Sequence, residues 1–183
     1  MRIVVGISGA SGVVIGTRLL SELAVRDCEV HAIVTQAARA VIRHELGPKF
    51  RFPKGVRLHD EGDAASPLMS SSFVVDAMVV APCSMKSLAA IATGYADTLL
   101  VRSADSMLRT GRKLILVPRE TPLSLSALEN MAALKRGGAV IMPPAAAYYH
   151  HPKTADDMTG FFVGKLLDLL GIPNDLYQRW QGA

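Results

Sequence analysis

Rings and thiols are scarce in this chain. Only 5% of its 183 residues are Phe, Trp or Tyr, and Cys28 and Cys83 are the only cysteines. Few aromatics beside abundant Ala, Val, Leu and Ile suit a parallel sheet covered by helices. Two cysteines without metal-ligand or disulfide spacing exclude a zinc module and a disulfide framework, and point to a reducing, cytoplasmic setting. Arg, Lys, Asp or Pro interrupts every apolar run before it reaches the ~20 residues that cross a bilayer, so no membrane partner is expected. The first strand begins at once, without the layout of a signal peptide. Charge is not clustered either. The net charge is +4, but the basic residues are scattered, and Arg112-Lys113 and Lys135-Arg136 beside glycines read as helix ends and loops. That pattern speaks against nucleic acid and favours small anionic ligands. Repeats and low-complexity linkers are absent.

Half of the residues are hydrophobic and 20% are charged, which predicts one globular domain over residues 1–183. A mean hydropathy of +0.27 points to apolar surface buried between subunits. Strand-like runs recur at 3–7, 29–34, 77–81, 113–117 and 139–142. Helical patterns separate them at 12–26, 37–45, 84–93, 99–109, 123–135 and 155–170. This alternation predicts an α/β fold with a mainly parallel sheet and right-handed crossovers. Residues 47–72, with three prolines, form the one long irregular passage, in which a weak strand is expected near 56–59.

Ligands on such sheets bind beyond the carboxyl ends of the strands. Four of the five strands are followed there by hydroxyls, cations or a carboxylate. After the first comes Ser8-Gly9-Ala10-Ser11-Gly12, a strand–turn–helix in which backbone amides can receive a phosphate. Ser8 or Ser11 can cap the helix, and an ordinary βα turn is an equal reading because the spacing departs from G-x-G-x-x-G. Thr35-Gln36 follows the second strand. Pro82-Cys83-Ser84-Met85-Lys86-Ser87 opens a helix, with Ser84 as its N-cap and Cys83 as a small buried residue. Pro118-Arg119-Glu120-Thr121-Pro122 holds an Arg suited to an anionic or electron-rich ring and a Glu suited to accept a proton, with a surface ion pair as the alternative. Glu45, taken alone, is a solvated carboxylate, and Lys165 a snorkelling surface lysine. His44, His150 and His151 lack metal-ligand spacing, so no metal is expected. Thr154 caps the last helix.

Taken together, Gly-Ile-Ser-Gly-Ala-Ser-Gly, Pro-Cys-Ser-Met-Lys, Val-Pro-Arg-Glu-Thr-Pro, Tyr-His-His-Pro and the final Arg-Trp-Gln-Gly resemble the UbiX flavin prenyltransferases, a family formerly described as phenylacrylic acid decarboxylases. The resemblance runs in register over essentially the whole chain. It implies a flavodoxin-like (Rossmann-like) three-layer sandwich and a homo-dodecamer with FMN between subunits, where the tail 172–183 packs at an interface. It also implies transfer of a dimethylallyl group from dimethylallyl phosphate to N5 and C6 of reduced FMN, for use by UbiD-type decarboxylases, without a metal. On matching positions, Gly9, Ala10, Ser11 and Thr35 would hold the FMN phosphate region. Ser70, Ser84, Met85, Lys86, Ser87 and Arg119 would line or contact the flavin. Arg102, Arg109, Tyr149 and Lys165 would bind the donor phosphate, and Trp180 would enclose the prenyl group. Glu120 would handle the C6 proton, and Glu45 with Ser11 would support the allyl-phosphate end. Arg109 stands where Lys is common and Lys165 where Arg is common, which keeps the charge but changes fork geometry and reach. Related flavoproteins that decarboxylate cysteine are an alternative, although they carry an Asn-bearing Pro-Ala-Ser-Ala-Asn-type motif where this chain has Pro82-Cys-Ser-Met-Lys86. A flavin carrier without catalysis is another.

Overall fold

β-branched residues fill most of the first run, favouring an extended chain, and Arg2–Ile7 forms β1. Glu29–Val34 is β2, Arg57–His59 is β3 and Ala77–Cys83 is β4. Lys113–Pro118 is β5 and Val140–Ile141 is β6. The strands form one six-stranded sheet in the order β3-β2-β1-β4-β5-β6, and every pairing is parallel. The helices are α1 (Val13–Ala24), α2 (Gln36–Glu45), α3 (Met85–Thr93), α4 (Leu99–Arg109), α5 (Leu125–Arg136) and α6 (Ala155–Leu170). The weak strand expected in the irregular passage is β3, and a 3-10 turn follows it at Pro67–Met69. The structure describes residues 1–182. It divides into two compact units, Met1–Pro143 and Pro144–Ala183.

Within the first unit, neighbouring residues of β1 show why the sheet is covered on both faces. A Cβ at Gly6 would lie 3.1 Å from Leu100 of α4, whereas Ile7 lies against Gly16 of α1. Successive side chains of a strand point to opposite faces. Helices therefore sandwich the sheet, giving the flavodoxin-like, Rossmann-like three-layer α/β class. Val4, Met78, Val80, Leu114 and Leu116 pack with Leu88, Leu100 and Leu134 on the α3–α5 side. Strands buried on both faces need continuous apolar runs, and every residue of β4 is buried. The order of the strands reverses between β1 and β4, the switch point where ligands bind in such sheets. There Ser8 Oγ donates to the Pro82 carbonyl at 2.9 Å and accepts from the Ser84 amide at 2.7 Å, tying the two strand ends.

A buried polar chain fastens the short β3. Ser66 Oγ lies 3.0 Å from His59 Nδ1, His59 Nε2 lies 2.8 Å from His31 Nδ1, and His31 Nε2 lies 3.1 Å from Glu29 Oε1. One arrangement satisfies all three contacts with both rings neutral: Ser66 donates to His59, His59 to His31, and His31 to Glu29. A proton on both rings would set two charges at the 2.8 Å contact. Burial lowers the pKa of each histidine below its usual 6.5. The unfolded chain then takes up protons near pH 6.5 that the folded chain refuses, so stability present above that pH is lost as the pH falls. We expect the thermal midpoint to drop between pH 6.5 and about pH 5, and His59→Gln to flatten that slope. Equal slopes for the two proteins in a pH series of melting curves would refute the assignment.

In the second unit, Thr154 and Asp157 form a capping box at the start of α6. The tail folds back on that helix. Asp168 accepts from Tyr177 Oη at 2.6 Å, Arg179 Nη2 at 2.6 Å and Asn174 Nδ2 at 2.9 Å. These donors, Arg179 foremost, pull the Asp168 carboxyl down to about 2, while burial and the same aspartate push Tyr177 up to about 12. Ala183 lies outside the described residues.

Candidate functional site

The loops after β1, β2, β4 and β5 meet around a cleft of about 470 Å³. Gly9, Thr35, Ser84, Met85, Lys86, Ser87 and Glu120 all line it, so seven of the residues singled out in the sequence share one edge. Each is held by local chemistry. Gly9 is required by close approach: a Cβ there would sit 2.5 Å from Ala37 Cβ. Thr35 caps α2, its Oγ1 accepting from the Ala38 amide at 3.1 Å. Ser84 caps α3 through the Ser87 amide at 3.3 Å and donates to Ser87 Oγ at 3.2 Å. The Glu120 carboxylate is exposed and accepts from the Thr121 amide at 3.0 Å.

Arg119 precedes Glu120, and its amide donates to the Cys83 carbonyl at 3.2 Å, joining the ends of β4 and β5. Its Nε is buried with no hydrogen-bond partner among the described residues. An orphaned buried donor costs free energy and calls for an acceptor. That orphan, beside an open cleft lined by hydroxyls and amides, fits a polar, electron-rich ring system. Cys83 is fully buried, and desolvation pushes its thiol up to about 12, so it offers no nucleophile.

The first βα turn differs from the sequence reading in one respect. Neither Ser8 nor Ser11 caps α1. Gly12 occupies the cap position with φ 87° and no side-chain cap. The cap comes from far along the chain: Glu45 accepts from the Gly12 amide at 3.0 Å and the Val13 amide at 3.2 Å. Ser8 is committed to the β1–β4 tie, and Ser11 is exposed. Glu45 is exposed, as a solvated carboxylate would be, but it is engaged. It holds the amides of a helix N-terminus, where negative charge is favoured.

Ala10 is buried in the same turn. Ser70 lies elsewhere in the first unit, lining a crevice of about 10 Å³ and bonding Ser72 Oγ at 2.8 Å. Arg102 and Arg109 share one face of α4 and both pair with Asp105, at 3.5 Å and 2.8 Å. Arg109 sits ~16 Å along the helix from its cap Thr98, and neither arginine lines the cleft. In the second unit, Tyr149 and Trp180 are brought together edge to face, ring centroids 5.8 Å apart. Lys165 is exposed, its Nζ 5.8 Å from the Tyr177 ring centre.

Sequence reasoning missed Glu61, Asp97 and Thr98, which also line the cleft. Thr98 was detectable as a cap before α4. Glu61 carried no local signal, since it lies in the polar passage between elements.

Comparison with known proteins agrees with this architecture. The flavoprotein family model matches residues 1–164. The flavin prenyltransferase UbiX of Thermoplasma acidophilum is 41% identical, covering 98% of this chain and all of the relative. Its counterpart in Methanocaldococcus jannaschii is 46% identical over 98% of each chain. Among solved structures, a dodecameric FMN-dependent UbiX-like decarboxylase from Escherichia coli O157:H7 matches with a TM-score of 0.94 and 42% identity, each chain covered fully. A UbiX (PadA1) in complex with FMN and dimethylallyl pyrophosphate matches with a TM-score of 0.91 and 40% identity, covering all of this chain and 98% of that one. A PPC decarboxylase mutant complexed with pantothenoylaminoethenethiol, at 22% identity and a TM-score of 0.66 over 79% of this chain and 82% of that one, shares the fold alone. This chain belongs to the UbiX flavin prenyltransferase family of flavoproteins.

Proposed function

We propose that this chain transfers the dimethylallyl group of dimethylallyl phosphate to reduced FMN. A bond from N5 to the allyl C1 forms as the C1–O bond breaks, with phosphate and the N5 proton leaving. A bond from C6 to the allyl C3 forms as the double bond takes up a proton at C2 and C6 gives up its own, leaving prenylated FMN. The observation that carries this reading is a buried Arg119 Nε without a hydrogen-bond partner among the described residues, next in sequence to the Glu120 carboxylate that lines the cleft, in a member of this family. Gly9, Ala10, Ser11 and Thr35 hold the phosphate end of FMN. Ser70, Ser84, Met85, Lys86, Ser87 and Arg119 contact or flank its remaining parts, and Arg119 Nε gains the acceptor it lacks. Reduced FMN supplies the electron-rich atoms that take the prenyl group.

The chain's own groups do the rest. Arg102, Arg109, Tyr149 and Lys165 bind the donor phosphate, whose negative charge grows as it departs and is stabilised by fixed cations. Glu45 with Ser11 supports the allyl-phosphate end by hydrogen bonds. Trp180, with Tyr149, encloses the prenyl group, excluding water from an electron-poor allyl fragment and presenting ring faces to it. Glu120 accepts the C6 proton on a carboxylate oxygen. No step calls for a metal. Residues 1–183 act as one flavin-binding domain in a homo-dodecamer, with the tail 172–183 at a subunit interface. The product serves UbiD-type decarboxylases in the cytoplasm, a setting in keeping with the free thiols of Cys28 and Cys83.

The test is an anaerobic incubation of the protein with reduced FMN and dimethylallyl phosphate, followed by mass spectrometry of the released flavin. A gain of one prenyl unit is expected. Bound but unmodified FMN would instead make the protein a carrier.

A further inference from the structure

Glu61 and Asp97 are acidic residues of the cleft to which the reaction above gives no task, and of the two Glu61 holds an amide at the cleft's edge. Glu61 is half-buried, and its carboxylate accepts a hydrogen bond from the Gln36 amide, the first of α2. Its backbone is anchored independently, since the Glu61 carbonyl accepts from the Leu99 amide at 2.8 Å at the start of α4. The neighbouring turn is stiffened by the Gly62 amide donating to Asp60 Oδ1 at 2.9 Å. The main chain at residue 61 is thus held while its side chain reaches across to α2. There it places a negative group on an amide bordering Gly9, Thr35 and Ala37, the corner to which the phosphate end of FMN is assigned.

A second cavity, of about 440 Å³, adjoins the cleft. Gln36 and Glu61 line both cavities, and the second also holds Arg39, Asp60 and Gly62. Arg39 stands one turn beyond Gln36 on α2, and its guanidinium has no ion-pair partner among the described residues. Glu61 therefore borders two environments from one pinned backbone. One holds the amide at the edge of the cleft, and the other is a cavity that Arg39 also lines.

We propose that Glu61 is a determinant of flavin-phosphate affinity and exchange, holding the α2 amide when the cleft is empty and yielding it, by turning towards Arg39, when the phosphate of FMN enters. This rests on the FMN reading above. A carboxylate and a phosphate cannot share one amide corner without strong repulsion, so each bound phosphate is contested. Contested binding suits a protein whose flavin is a substrate, since the product has to leave for the next enzyme. The contest concerns the phosphate only. Riboflavin, with the same ring and ribityl chain but no phosphate, leaves Glu61 where it is.

The experiment measures dissociation constants of FMN and of riboflavin for the full-length protein by flavin fluorescence quenching. Glu61→Gln, which keeps shape and removes charge, is expected to tighten FMN about tenfold and slow its release, while riboflavin is unchanged. Arg39→Gln is expected to weaken FMN in the unaltered protein and to have no such effect in the Glu61→Gln background. Equal shifts for both flavins would reduce Glu61 to a structural clamp and overturn the proposal. Weaker FMN binding by Glu61→Gln would do the same, making Glu61 a direct ligand. An unaltered protein that binds riboflavin but gains nothing from the phosphate refutes the proposal alone, whereas one that binds neither flavin also removes the function on which it rests.

Discussion

Substituting Gly16 by alanine is expected to destabilise the protein by about 3 kcal/mol and to lower its melting temperature by about 6–12 °C. An added Cβ would lie 2.0 Å from the Ala81 carbonyl oxygen, 3.1 Å from its carbon and 3.1 Å from Ile7 Cγ1. The first two are backbone atoms in the fully buried β4, so no side chain can rotate away. The helix has to lift from the sheet instead. Lifting it opens space beneath Leu19, Leu20 and Leu23, which are wholly buried, in an interior that tolerates few voids. Alanine's better helix propensity recovers only about 1 kcal/mol. The change also moves the Gly12 and Val13 amides that Glu45 holds, so the first βα turn loosens along with the fold. Calorimetry of the variant checks this, and a melting temperature equal to that of the parent would mean that α1 is not seated as described.

Exchanging Glu120 for glutamine is expected to slow product formation by about 10²–10⁴-fold while FMN binding stays unchanged. The amide oxygen can still accept from the Thr121 amide, which the carboxylate holds at 3.0 Å, so the loop keeps its shape. What is lost is a group able to take a proton at neutral pH. Arg119→Met has the opposite profile. It removes the buried donor that has no partner among the described residues, so flavin affinity should fall while the proton acceptor remains. Anaerobic product assays paired with flavin titrations separate the two. If Glu120→Gln turned over at the parental rate, the proton would have to leave by another route.

Much of this organisation was legible along the chain. β-branched runs such as Ile3–Ile7 identify strands, because a pleated, two-sided burial rewards such side chains at successive positions. Ser84 and Thr154 announce helix starts, because a cap and the amides it satisfies lie within three residues. The carboxyl-edge rule then selects which loops to inspect, and seven of the selected residues line one cleft. All of these inferences use neighbours in sequence or the constant hand of βα crossovers.

Contacts between distant residues were not legible, and they redefine several of the same side chains. Glu45 and Gly12 are 33 positions apart, so nothing near either reveals that a carboxylate caps α1. His31 and His59, 28 apart, become a single hydrogen-bonded pair only because β3 lies in register beside β2. Glu61 enters the cleft because its carbonyl is pinned to α4. Strand periods, caps and turn residues are consequences of local backbone energetics, and the amino-acid order suffices for them. The partner of a titratable group depends on which loops the sheet order brings side by side, so its charge state and its task emerge only once the layers have packed.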